Sequence, residues 1–128
     1  MRSPEPNLVD RLLIEGLVDW LDAGWVYSEA MKDGIAPEGV RTWGLGAIAE
    51  LLFRDLAVAG DVDDDGFHAW STETAEAFAR IALGWLAFAP GEIRPGDVFW
   101  LRATPAGKER GRLALEQVGP DGWGDGDV

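Results

Sequence analysis

Asp61-Val62-Asp63-Asp64-Asp65-Gly66 puts four carboxylates into five residues, and Phe67-His68-Ala69-Trp70 follows at once. Like charges that close repel, so the run demands a cation, a basic partner or full solvation. Its spacing, Asp-x-Asp-x-Asp-Gly, is the opening half of a calcium loop. Such a loop takes oxygen ligands at positions 1, 3 and 5, glycine at 6, a backbone carbonyl at 7 and a bidentate glutamate at 12. Asp61, Asp63, Asp65, Gly66 and Phe67 meet the first five requirements, and helices are expected on both sides. The twelfth position is Thr72, with Glu73 one residue late. Calcium is therefore the one cofactor the sequence offers, at a site missing its strongest ligand.

The same residues read differently as charge. From Asp55 to Glu76 there are seven acidic residues and neither lysine nor arginine, within a chain of formal net charge −12. That sign opposes binding to nucleic acid and anionic membranes, whose phosphates need lysine and arginine contacts. It suits a basic protein partner, because complementary charge steers association. The expected partner surface is Asp61, Asp63, Asp64, Asp65, Glu73 and Glu76, with Phe67 and Trp70 as aromatic anchors. Arg102, Lys108, Arg110 and Arg112 make a local basic cluster, expected to pair with the acidic faces and to suit a helix C-terminus.

Catalytic chemistry has little to work with. His68 is the only histidine and there is no cysteine, so two-histidine metal centres, thiolate sites, disulfides and cysteine nucleophiles are excluded. His68 with an aspartate or Ser71 is the only candidate for a general base, and a histidine between aromatics in a strand is more commonly structural. Gly44 and Gly46 lack the third glycine of a dinucleotide fingerprint. The expectation is a non-enzymatic protein.

These residues need elements to hold them. Asn7 is a good N-cap, with Asp10 three residues on, for an amphipathic helix carrying Leu8, Val9, Leu12, Leu13, Leu17, Trp20 and Leu21 and ending at Gly24. Trp25–Ala30 has strand-like composition. Pro37 opens a weakly helical stretch to Gly44, which breaks before a stronger helix from Leu45 to Gly60, the outline of a helix-turn-helix. Asp65-Gly66 is a hairpin corner ahead of a strand over 67–70. Ser71 or Thr72 caps a wide-faced helix that ends at Pro90-Gly91, and Pro95-Gly96-Asp97 turns into a strand over 98–103. Thr104-Pro105 starts a last helix to about Glu116. The pattern is α+β, dominated by helices with a small antiparallel sheet. One globular domain covers 1–118. An extended arm precedes it at 1–6, and an acidic, glycine-rich tail at 119–128 is expected to be disordered. The seven tryptophans are expected in the core, Trp123 in the tail excepted. No stretch has the length and apolarity of a membrane span or a secretory leader, and the absence of cysteine fits a cytoplasmic protein.

Two segments resemble bacterial winged-helix domains. Leu51-Leu52-Phe53-Arg54-Asp55-Leu56-Ala57-Val58-Ala59-Gly60 is similar to a recognition helix running into the wing. Phe99-Trp100-Leu101-Arg102-Ala103-Thr104-Pro105-Ala106-Gly107-Lys108 is similar to the strand ending in Leu-x-x-Thr-Pro-x-Gly-Lys that closes such domains. Together they span about a sixth of the chain. The resemblance implies a winged-helix-like fold, here with an extra helix interrupting the wing at 72–89. It implies DNA binding only for a recognition helix that is basic or polar, and Arg54 is the sole basic residue from Leu45 to Gly60. The small acidic character, with nine arginines to two lysines, also resembles immunity and antitoxin proteins of high-GC bacteria. That resemblance implies neutralisation of a basic toxin.

Overall fold

A computed structural model describes residues 6–87 and 99–118. The arm up to residue 5, the turns at 90–91 and 95–97, and the tail with Trp123 lie outside the described residues. The elements run α1 (Leu8–Glu15), β1 (Leu21–Asp22), α2 (Ala23–Met31), α3 (Pro37–Phe53), β2 (Ala57–Asp63), β3 (Gly66–Ala69), α4 (Thr74–Leu86), β4 (Trp100–Ala103) and α5 (Pro105–Val118). The fold is α+β and dominated by helices. The four strands among the described residues form one antiparallel sheet in the order β1-β4-β2-β3. The last strand in sequence is thus placed inside the sheet, pairing Leu21 with Leu101 on one side and Ala59 with Leu101 on the other.

Asn7 caps α1 as its residue type demands, its side-chain oxygen accepting the Asp10 amide at 2.8 Å. The helix ends at Glu15, well before Gly24. Gly16 is the cap, packed 3.5 Å from the Ala103 Cβ in the sense that any Cβ at 16 would meet it there. The chain then turns out, and Trp20 leaves the helical face that its spacing suggested. Trp25–Ala30 is helix rather than strand. Asp22 caps it, accepting the Trp25 amide at 2.8 Å. Ala23, Val26, Tyr27 and Ala30 fall on one face at helical spacing and are buried, so burial and a cap override β-favouring composition.

α3 is one continuous helix through Gly44 and Gly46, with no helix-turn-helix break between them. Gly44 is there for close packing. A Cβ at 44 would lie 3.0 Å from the Trp85 ring. α3 stops at Phe53 because Asp55 enters the left-handed region at φ 60°. The Leu56 amide then donates to the Leu51 carbonyl at 2.8 Å and the Asp55 amide to Leu52 at 3.1 Å. That is a Schellman motif with aspartate where glycine is usual, so the helix expected to reach Gly60 becomes β2 from Ala57. α4 begins at Thr74, with Glu73 in the cap position and no side-chain cap from Ser71 or Thr72. Thr104 caps α5 as expected. Its hydroxyl accepts the Gly107 amide at 3.0 Å and donates to the Asp55 carbonyl at 2.7 Å.

The core lies between the helices and the inner sheet face, where Leu12, Leu13, Ile48, Leu51, Ile81, Trp85, Phe99 and Leu101 are fully buried. Trp85 is its largest member. Its ring meets Tyr27 and Phe99, and its indole N–H donates to the Arg41 carbonyl at 2.8 Å. Trp85 is the only tryptophan the fold buries among the described residues; Trp20, Trp25 and Trp43 are exposed and Trp70 and Trp100 half-buried. Two charged clusters fasten the helices. Arg110 of α5 reaches Asp10 of α1 at 2.9 Å and Glu50 of α3 at 3.2 Å. Glu29 of α2, 4% exposed, is held by Arg11 at 3.1 Å and Lys32 at 2.8 Å. A carboxylate that buried persists only when compensated in this way.

Candidate functional site

The acidic run folds as a β-hairpin. Asp63 pairs with Gly66, Val62 with Phe67 and Asp61 with His68, leaving Asp64-Asp65 as a two-residue loop. Gly66, at φ 118°, supplies a conformation other residues resist. Asp63 Oδ1 accepts the Asp65 amide at 2.8 Å and lies 2.9 Å from His68 Nε2. The Asp65 amide foremost, and then His68, hold the Asp63 carboxyl below the usual carboxylate range.

The hairpin forms as expected, with its corner one residue earlier, at Asp64-Asp65, while the calcium loop is not assembled. Strands rather than helices flank the turn. Asp61 faces Arg80 of α4 at 3.9 Å, and Asp63 is engaged by its own turn and His68. No group of three His, Cys, Asp or Glu side chains is arranged to hold a metal ion among the described residues. Asp61 and Asp63 share one face of β2 but are taken up there by Arg80, His68 and the turn amide, whereas a calcium loop curls its carboxylates inward around the ion.

Pleating also separates the expected anchors. Phe67 faces outward. Trp70, three residues on, packs toward the core with the Arg80 guanidinium 3.7 Å from its ring centroid. Its indole nitrogen is buried with no acceptor among the described residues. Asp64, Asp65, Glu73 and Glu76 are exposed, with Glu76 in the first turn of α4 where a negative charge suits the helix dipole. His68 and Asp63 are both solvent-exposed, and His68 makes no hydrogen bond to Ser71. The basic cluster of the C-terminal third is dispersed. Arg110 ties three helices together, Arg112 pairs with Glu109 and Glu116, and Arg102 lies 4.7 Å from the Phe67 ring centroid.

The outer face of the sheet holds what sequence reasoning missed. Leu101 and Ala103 point into the core, so Trp100 and Arg102 point out. Gly60, paired with Trp100, leaves room for Phe67: a Cβ at 60 would lie 2.8 Å from the tip of that ring. Trp20 comes across to Phe67, with centroids 6.0 Å apart, and its ring would lie 3.8 Å from a Cβ at Gly66. Beyond Trp20 a groove of about 410 Å3 runs between β1, α2 and β4, and Trp25, Trp100, Glu15, Asp19 and Asp22 line it. A second groove of about 330 Å3, on the other flank of Trp20, is lined by Arg102, Lys108 and Asp19. The overlooked signal was Asp19-Trp20-Leu21-Asp22-Ala23-Gly24-Trp25, which alternates acid and aromatic once the helix is recognised to end at Gly16.

The chain matches no protein-family model, no curated protein and no solved structure. No described helix is long and apolar enough to cross a membrane.

Proposed function

We propose that this chain is a non-enzymatic protein-binding domain that neutralises or regulates a basic protein. The partner docks on the outer sheet face, from the hairpin tip to the tryptophans of β1 and α2. The observation that carries this reading is the seating of Trp20 against Gly66 and Phe67. That contact joins an acidic tip to an exposed aromatic surface, so one partner meets charge and apolar area together. Aromatic anchors supply most of the binding energy at protein interfaces, and charge around them raises the association rate. A net charge of −12 adds long-range attraction for a basic protein. Neutralising a basic toxin is the sharpest form of this reading.

Affinity purification with the tagged chain, compared with an Asp64→Lys, Asp65→Lys variant, tests it. Asp63 is left intact because it holds the turn. Retention of a basic protein by the wild type and its loss from the variant is the expected result. Equal retention by both removes the hairpin from the interface.

One observation favours a second reading, that of a winged-helix regulator. α2 and α3 lie between β1 and β2, and β4 returns between those two strands, the connectivity of a winged helix with β3 and α4 inserted in the wing. Against DNA contact, the arginines of that region are engaged: Arg41 donates to the Leu86 carbonyl and Arg54 faces Glu50. A gel shift at low salt decides this reading, since binding to phosphates is strongest there. A shift that fades as salt rises supports it, and no shift at low salt removes it.

A further inference from the structure

The geometry points to the groove between β1, α2 and β4 as a receptor for an arginine side chain of the partner, gripped by tryptophan faces and carboxylates. This inference rests on the protein-binding reading and gives it a specific subsite.

Three observations converge. The first is shape and lining. The groove holds about 410 Å3 and presents Trp20, Trp25 and Trp100 together with Glu15, Asp19 and Asp22. An indole face attracts a cation through its quadrupole, and a nearby carboxylate adds direct Coulomb attraction.

The second is the state of those groups. On several other faces the fold matches aromatics and acids with its own cations. Arg80 covers Trp70 and approaches Asp61, Arg102 covers Phe67, Arg110 engages Asp10 and Glu50, and Arg11 engages Glu29 and Asp33. In the groove no ring or cation partner meets Trp25 or Trp100, and no ion pair engages Glu15, Asp19 or Asp22, among the described residues. Asp19 and Asp22 spend one oxygen each on a backbone amide, at 2.8 Å in both cases, and keep the other available.

The third is accessibility. Trp20 is 37% and Trp25 39% exposed, so their rings are reachable yet anchored. A guanidinium fits such a site better than an ammonium. It is planar and stacks on an indole, is more weakly hydrated, and offers several N–H donors to carboxylates at its rim.

The test uses the full chain, labelled for detection of indole N–H resonances, and a blocked Arg-Gly-Arg peptide at low salt. Peptides with lysine or with citrulline, the neutral isostere of arginine, are the controls. Saturable movement of the Trp25 and Trp100 indole signals is expected with arginine, a smaller response with lysine and none with citrulline. Trp25→Ala weakens arginine binding roughly tenfold, and Glu15→Gln weakens it by a smaller factor. An equal response to citrulline overturns the inference, because binding then needs no cation. So does movement of hairpin amides while the Trp25 and Trp100 signals stay still.

The two proposals fail separately. A basic partner kept by Trp25→Ala but lost from the Asp64→Lys, Asp65→Lys variant overturns the groove and leaves the protein-binding reading standing. Saturable arginine-peptide binding in the groove, with no basic protein retained by the wild-type chain, supports the groove as an arginine site and overturns that reading.

Discussion

The hairpin at 61–69 and the groove beside β1 carry comparable negative charge and use it in opposite ways. In the hairpin, Asp61 has Arg80 and Asp63 has His68 and the turn amide, so half of the run is consumed by the fold. In the groove, Glu15, Asp19 and Asp22 form no ion pair among the described residues. Density of charge along a chain is a poor guide to charge available for binding. What decides availability is whether a neighbouring element brings a cation to it.

The tryptophans set the widest contrast. Trp85→Ala empties the centre of the core and is expected to lower stability by about 3–5 kcal/mol in urea unfolding. Trp25→Ala, at a ring 39% exposed on the rim of the fold, should cost much less, on the order of 1 kcal/mol. A large loss at Trp25 would return the groove to the fold's own architecture and break the comparison. Next comes Gly60→Ala, which places a methyl against the His68 carbonyl and the Phe67 ring. It should lower stability by about 1–3 kcal/mol and displace Phe67 and Trp20, visible in their aromatic resonances. Arg80→Ala strips the cover from Trp70 and the partner from Asp61, for a loss on the order of 1 kcal/mol. A null result there would make the hairpin as unpartnered as the groove.

The smallest effect is in acid. The Asp63 carboxyl is held below its ordinary value in the folded chain, so its contribution to stability is complete above the unfolded value near 4. That contribution fades as pH falls through this region toward the folded value. Asp63→Asn should remove that fraction of the acid sensitivity in unfolding curves measured from pH 6 to 3. Identical curves would show that the turn does not depend on this charge.

Much of the fold was legible where a side chain announces its own local bond. Asn7 and Thr104 each specify a cap through a bond within three residues, and both caps form; Asp65-Gly66 marks a hairpin corner that the structure makes one residue earlier, at Asp64-Asp65. Elements went astray where the deciding contact is distant. Gly44 reads as a breaker until Trp85 is packed on it. Asp55 hides a helix end because the left-handed position it fills is usually a glycine. Replacing it with glycine should raise stability by roughly 1 kcal/mol. The candidate surface divided in the same way. The exposed tip at Asp64 and Asp65 was visible as a charge run, while the groove sets Trp100 against residues 15–28, a junction across the sheet that the local run around Trp20 does not by itself reveal.

β4 sits between β1 and β2, although it is made long after both. On a ribosome, α1, α2, α3 and the hairpin emerge first, and Trp20, Asp22 and Trp25 wait for Trp100. At ordinary synthesis rates that wait is on the order of seconds. A chain interrupted before residue 100 can carry the acids and most of the tryptophans yet has no third wall for the groove. The position of one strand thus makes the surface a late product of synthesis, withheld from any partner until the chain has been made past residue 100.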